Sequence, residues 1–225
     1  VLVALMLRFA MPSVAPQVAE EPLRHRMFAA YGRVLRQRRA MGFILANGLI
    51  FSAMFTFITD AAFLYIEYFG IDEARFPLYF GANVVAMLGL NRLNVLLLRR
   101  FDSAAIMAVA VVLQSLAALT LLLLTLSGYL TLWSTVPLIM VVAGMAALAI
   151  PNALASFLAF FERDSGAATG LNGCLQFLMA GLIGSGLGLI HNGTPLPMTA
   201  LMAASAVGGM LCFFLLAREK PGLRQ

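Results

Sequence analysis

Residues 103–126 read SAAIMAVAVVLQSLAALTLLLLTL, a run without a single charged residue. Asp102 stands before it, and Ser127-Gly128 closes it as a short turn. A helix rises about 1.5 Å per residue, so this stretch reaches across the ~30 Å hydrocarbon core of a bilayer. Only a spanning helix gives such a run a stable setting, because every backbone polar group is then satisfied within the segment.

Working outward, five further stretches have the same character: 41–59, 76–97, 132–160, 167–190 and 197–217. The first of them continues past Asp60 to Phe69, which is long for one helix, so a bend near Asp60 is expected. Pro137 lies near the start of the fourth span and Pro151 inside it. The sequence His191-Asn192-Gly193-Thr194-Pro195 reads as a tight turn. Overall, 62% of the 225 residues are hydrophobic and 11% are charged. Soluble domains average about 25% charged, and no soluble core of this size hides so much apolar surface. The fold expected is therefore all-α: a polytopic membrane protein built as a six-helix bundle.

Four segments organise the chain. Residues 1–11 are apolar but too short to span, and Arg8 sits within the run rather than before it. They read as the end of a truncated transmembrane helix, not as a signal peptide. Residues 12–40 are a basic loop. Within it Pro22 follows Glu20 and Glu21, a helix-start pattern, and Leu23, Met27, Tyr31 and Leu35 recur at helical spacing. Arg24, Arg26, Arg33 and Arg36 lie largely off that face. Such a basic amphipathic helix lies on an anionic leaflet, or it binds a partner. Residues 41–217 form the transmembrane domain, and 218–225 a tail. Placing 12–40, 98–102, 161–166 and 218–225 on one side collects almost all the basic residues there and leaves Arg75 on the other. The positive-inside rule then puts the long loop and the C-terminus in the cytoplasm.

Polar residues at membrane depth are the candidates for function, since each is costly in lipid unless paired or wetted. Asn47, Asn83, Gln114, Ser115 and Asn152 are of this kind. Asn172 and Gln176 stand four apart and so share a helix face. They read as a cavity wall that hydrogen-bonds a substrate or as an interhelical hydrogen bond. Phe51 and Phe55, with Met54 and Phe57, make an apolar stripe that suits a lipophilic substrate or simple packing. Asn47, Phe51, Phe55, Asn83, Asn152, Asn172 and Gln176 are thus the cavity candidates. Asp60 either carries a proton or marks a helix end at the interface. Gly89-Leu-Asn-Arg-Leu-Asn, followed by Arg99 and Arg100, suits a gate: Gly89 permits close helix approach and Arg92 snorkels to the membrane edge. The alternative there is ordinary topogenic anchoring. Gly184 and Gly188 form a small-xxx-small step expected to pack tightly.

Several classes of chemistry are not indicated. Cys174 and Cys212 both lie in apolar runs, and His25 and His191 are far apart without neighbouring ligands. No metal spacing, nucleophile elbow or phosphate-binding loop is present, so neither an enzyme nor a cofactor is expected. Topology accounts for the fifteen basic residues, so nucleic acid is not an expected partner.

Five stretches carry a resemblance. Arg36-Gln-Arg-Arg-Ala-Met-Gly-Phe-Ile-Leu-Ala-Asn-Gly48 and Phe55-Thr-Phe-Ile-Thr-Asp-Ala-Ala-Phe-Leu-Tyr-Ile-Glu-Tyr-Phe-Gly70 resemble the seventh helix of Bcr/CflA drug-resistance transporters of the major facilitator superfamily. Phe80-Gly-Ala-Asn83 through Leu93-Asn94 is similar to that family's eighth helix. Pro151-Asn-Ala and Gly166-Ala-Ala-Thr-Gly-Leu-Asn-Gly173 resemble its tenth helix and the start of its eleventh. One departure is Asp60-Ala61, where the family often has Ser-Pro. The resemblance implies the C-terminal half of a proton-coupled exporter of drugs or small metabolites, in a bacterial inner membrane. It further implies a partner N-terminal half of six helices, where the family's proton-coupling acid resides. The competing expectation is a non-transporting structural or assembly bundle, perhaps homodimeric.

Overall fold

The computed structural model describes residues 31–32, 34–161 and 165–217. The expected helix remnant at 1–11, most of the basic loop, the polar loop at 162–164 and the tail at 218–225 lie outside the described residues. Among the described residues every regular element is helical: α1 (Arg38–Ala62), α2 (Phe76–Leu97), α3 (Ser103–Leu126), α4 (Leu132–Leu158), α5 (Ser165–Ile190) and α6 (Leu196–Cys212). Two of them continue as π-helical turns, α1 through Phe63–Tyr68 and α6 through Phe213–Ala217. Six of the resulting segments are long and apolar enough to cross a bilayer. The chain is an all-α polytopic bundle.

The first segment runs unbroken from Arg38 to Tyr68, 31 residues. That is about 46 Å at helical rise, well beyond the ~30 Å of hydrocarbon. Just after Asp60, where the sequence allows a bend, the helix changes winding into a π turn. A π turn takes up an extra residue while its backbone bonds continue, so the helix changes phase without breaking. Leu35 belongs to the apolar face expected of the amphipathic segment. Leu35 is 52% exposed, and neighbouring Val34 is fully buried. Val34 joins the core around Phe43 and Phe161, and one step of about 100° around a helix turns Leu35 outward.

Packing sets the positions of the functional side chains. α1 lies against α4, α5 and α6; α3 lies against α4 and α6; α2 rests mainly on α4. Close approach follows small residues. A Cβ on Gly42 would sit 2.7 Å from the Ala217 backbone nitrogen, so here α1 and the end of α6 touch backbone to backbone. Van der Waals contact of this kind holds helices together in lipid, where no hydrophobic drive remains. The core divides into two clusters along the helix axes. One surrounds Phe43, Met107, Phe157 and Phe213. The other surrounds Tyr65, Leu121, Leu187 and Met198. α2 and α5 are left most open, with 11% and 17% of their spans buried against 67% for the first segment.

Candidate substrate-facing site

Asn47 is buried on α1 and reaches across to α5. Its Nδ2 donates to Asn172 Oδ1 at 3.3 Å and to Gln176 Oε1 at 2.9 Å. Both acceptors come from one face of α5 because they stand one helical turn apart. Asn47 Oδ1 is buried without a partner. Next to it, a Cβ on Gly48 would lie 2.6 Å from Met179 Sδ, at the end of a side chain free to swing aside, and 3.7 Å from Gln176 Cα. One turn along α1, Phe51 stacks on Phe55 with centroids 5.8 Å apart and meets Phe177 of α5 edge to face at 5.1 Å. Phe177 is 64% exposed, and Phe51 and Phe55 are half-buried. Together these side chains make a neutral wall: amides behind, aromatic rings in front.

The other candidates lie apart from this wall. Asn152 Nδ2 donates to Asn94 Oδ1 and to the Leu148 carbonyl, both at 2.7 Å, which ties α4 to α2 just after Pro151. Asn83 donates to the Tyr79 carbonyl at 3.1 Å within a nest of aromatic rings. Its Oδ1 faces the Tyr65 hydroxyl, the one donor placed to reach it. Gly89, Arg92, Arg99 and Arg100 are all exposed on or just beyond α2. Among the described residues, nothing lies within 4 Å of a Cβ built on Gly89. α2 instead contacts α4 where Leu90 packs on Gly144. The Gly184 and Gly188 step divides in the same way. A Cβ on Gly184 would lie 3.5 Å from the Phe55 ring and from Thr59 Oγ1, whereas one on Gly188 would meet nothing within 4 Å among the described residues. A helix turns about 40° over four residues, enough to carry one small side out of a narrow contact.

Asp60 is 9% exposed, at the end of α1 where the π turn begins. Its Oδ1 lies 3.8 Å from His191 Nδ1, and its Oδ2 is buried without a partner. His191 also meets the Phe63 ring edge to face, with centroids 4.5 Å apart. Among the described residues, no group of three or more His, Cys, Asp or Glu could hold a metal ion.

Sequence reasoning missed three participants. Asn94 was visible only as the last residue of the Gly89 motif, and burial of that one amide depends on α4 meeting it. His191 reads as turn chemistry until the fold returns α5 to the end of α1. Phe177 follows Gln176 directly, but its role depends on facing Phe51. Gln114, seen as polar at membrane depth, links three helices: from α3 it donates to the Ile50 carbonyl of α1 and the Val142 carbonyl of α4, each at 3.2 Å.

Apolar helices of spanning length, with amides and a carboxylate held between them, define a multi-pass membrane protein. No protein-family model matches the chain. Over 216 residues, 96% of the chain, it is 26% identical to the bicyclomycin resistance protein homolog of Haemophilus influenzae. Over 200 residues, 85% of the chain, it is 27% identical to the uncharacterized MFS-type transporter YdgK of Bacillus subtilis. The resemblance to Bcr/CflA transporters of the major facilitator superfamily therefore holds across nearly the whole chain. The chain spans about half the length of these curated relatives, 54% of one and 47% of the other.

Proposed function

We propose that the chain serves as the C-terminal half of a small-molecule exporter and lines one side of its central cavity. A second half of six helices, on the same polypeptide or another, completes the cavity. The observation that carries this reading is the wall formed by Asn47, Asn172 and Gln176 behind Phe51, Phe55 and Phe177. It combines neutral hydrogen-bonding groups with half-exposed rings, the lining that holds a mainly apolar ligand by stacking and one or two hydrogen bonds. Asn83 and Asn152 take second place, because they stand apart from the rings of Phe51, Phe55 and Phe177. Export runs against entry of protons, and Asp60 is the one buried acid among the described residues that such exchange can use. Gly89, Arg92, Arg99 and Arg100 border the membrane edge where a gate would move. The bilayer is the inner membrane, with the basic ends of the helices in the cytoplasm. No enzymatic step is assigned.

Reconstitution tests this. The chain is placed in proteoliposomes alone and together with the N-terminal half of the Haemophilus influenzae relative. Bicyclomycin is the first cargo, because that relative carries its name. Uptake driven by a proton gradient is expected only with both halves, and Gln176→Ala should weaken it. Transport by the chain alone would refute the division of labour. A stable homodimer in mild detergent that neither binds the second half nor transports would favour a structural bundle.

A further inference from the structure

We propose that Asp60 and His191 form a proton-responsive latch that holds the α5–α6 turn against the π-helical end of α1. Asp60 is buried where the helix changes winding, and His191 is the first residue after α5. Their side chains are 3.8 Å apart, close enough to pair when the imidazole carries a proton. The ring of His191 also rests edge-on against Phe63, the first residue of the π turn. One imidazole thus bridges two elements more than a hundred residues apart in sequence, and no backbone hydrogen bond is seen between them.

Asp60 stands just before a π turn, an irregularity of winding that recurs at functional sites. The turn after α5 is held by short local bonds. Thr194 N–H donates to Asn192 Oδ1 at 3.1 Å, Leu196 N–H donates to Thr194 Oγ1 at 3.4 Å, and Gly193 takes a φ of +74°. Among the described residues, the groups that act electrostatically on Asp60 are His191 across the gap and Glu67 farther along its own helix. The latch is closed while the carboxylate is charged and the imidazole protonated. It opens when either group loses its charge. Glu67 opposes closure, because its charge has the sign of Asp60.

This inference stands on the pair's geometry and not on the cargo, so transport can fail while the latch holds. Backbone hydrogen exchange of the full chain in lipid nanodiscs reads it directly. The amides of Thr194 and Leu196 report the turn, and those of Phe69 and Ile71 report the π turn through their bonds to the Leu64 and Tyr65 carbonyls. After correction for intrinsic exchange, wild-type protection should peak at intermediate pH. There it should exceed that of Asp60→Asn by about fivefold, the size of one partly exposed ion pair. His191→Gln should behave like Asp60→Asn, with flat protection across pH and unchanged exchange in α4. A wild-type profile as flat as the variants', or a peak that survives in both, would overturn the latch. Should Asp60→Asn fail to fold, His191→Gln decides alone: loss of the peak supports the latch and its persistence sinks it.

Discussion

Asn47 satisfies its amide protons and leaves its carbonyl oxygen buried without a partner. Hydrogen bonds between helices in lipid contribute about 0.6 kcal/mol on average and at most about 1.7, because the unfolded chain finds partners too. Asn47→Ala should therefore destabilise the bundle by about 1 kcal/mol, read as unfolding in bicelles. Asn47→Ala combined with Gln176→Ala should cost less than the sum of the two single changes, which is the signature of one shared bond. Full additivity would mean that the amides act independently. The hydroxyls nearby behave differently. Ser52 and Thr56 bond the carbonyls of Gly48 and Ser52 on their own helix, at 2.7 and 2.8 Å, and so are satisfied without a neighbour.

Glycines separate the helix pairs that touch from those that do not. At Gly42 the opposing atoms are backbone, which cannot swing aside. Gly42→Val should push α1 from the end of α6 and cost about 1–3 kcal/mol, the range for overpacking. Gly89 has open space around it, so Gly89→Ala should be neutral or stabilise by up to about 1 kcal/mol through helix propensity. Thermal unfolding in detergent compares the two directly, and equal losses would remove the distinction. Sequence reasoning singles out Gly89 for close approach and passes over Gly42, because a helix face acquires meaning only from what packs on it. The same holds for Val34 and Leu35, adjacent and both apolar, of which one is buried and one exposed.

The whole bundle leaves α2 and α5 open, and the free thiol of Cys174 sits exposed on α5. Cys212, on α6, is half-buried. Maleimide should therefore label Cys174 faster than Cys212 in detergent. If α5 borders the cavity shared with a second half, adding that half should slow labelling of Cys174 and leave Cys212 unchanged. Unaltered labelling of Cys174 in a complex that transports would place the cavity elsewhere.

The six spans were legible in the sequence because length and apolarity are enough to set a helix across a bilayer. The run at Ser103–Leu126 fell where it was read to fall, and so did the span Phe76–Leu97. The four-residue spacing of Asn172 and Gln176 marked a shared face, and both amides do point at one partner. That the partner is Asn47 was decided only by tertiary structure, since its amide lies 125 residues from Asn172 and any buried amide on another helix would have fitted the pattern. The pairing of Asp60 with His191 and of Asn152 with Asn94 was equally out of reach. Hydropathy sets the depth of a residue in the membrane, but not the direction it faces around its helix. That direction follows from which backbones can approach, as at Gly42, and from the winding change after Asp60.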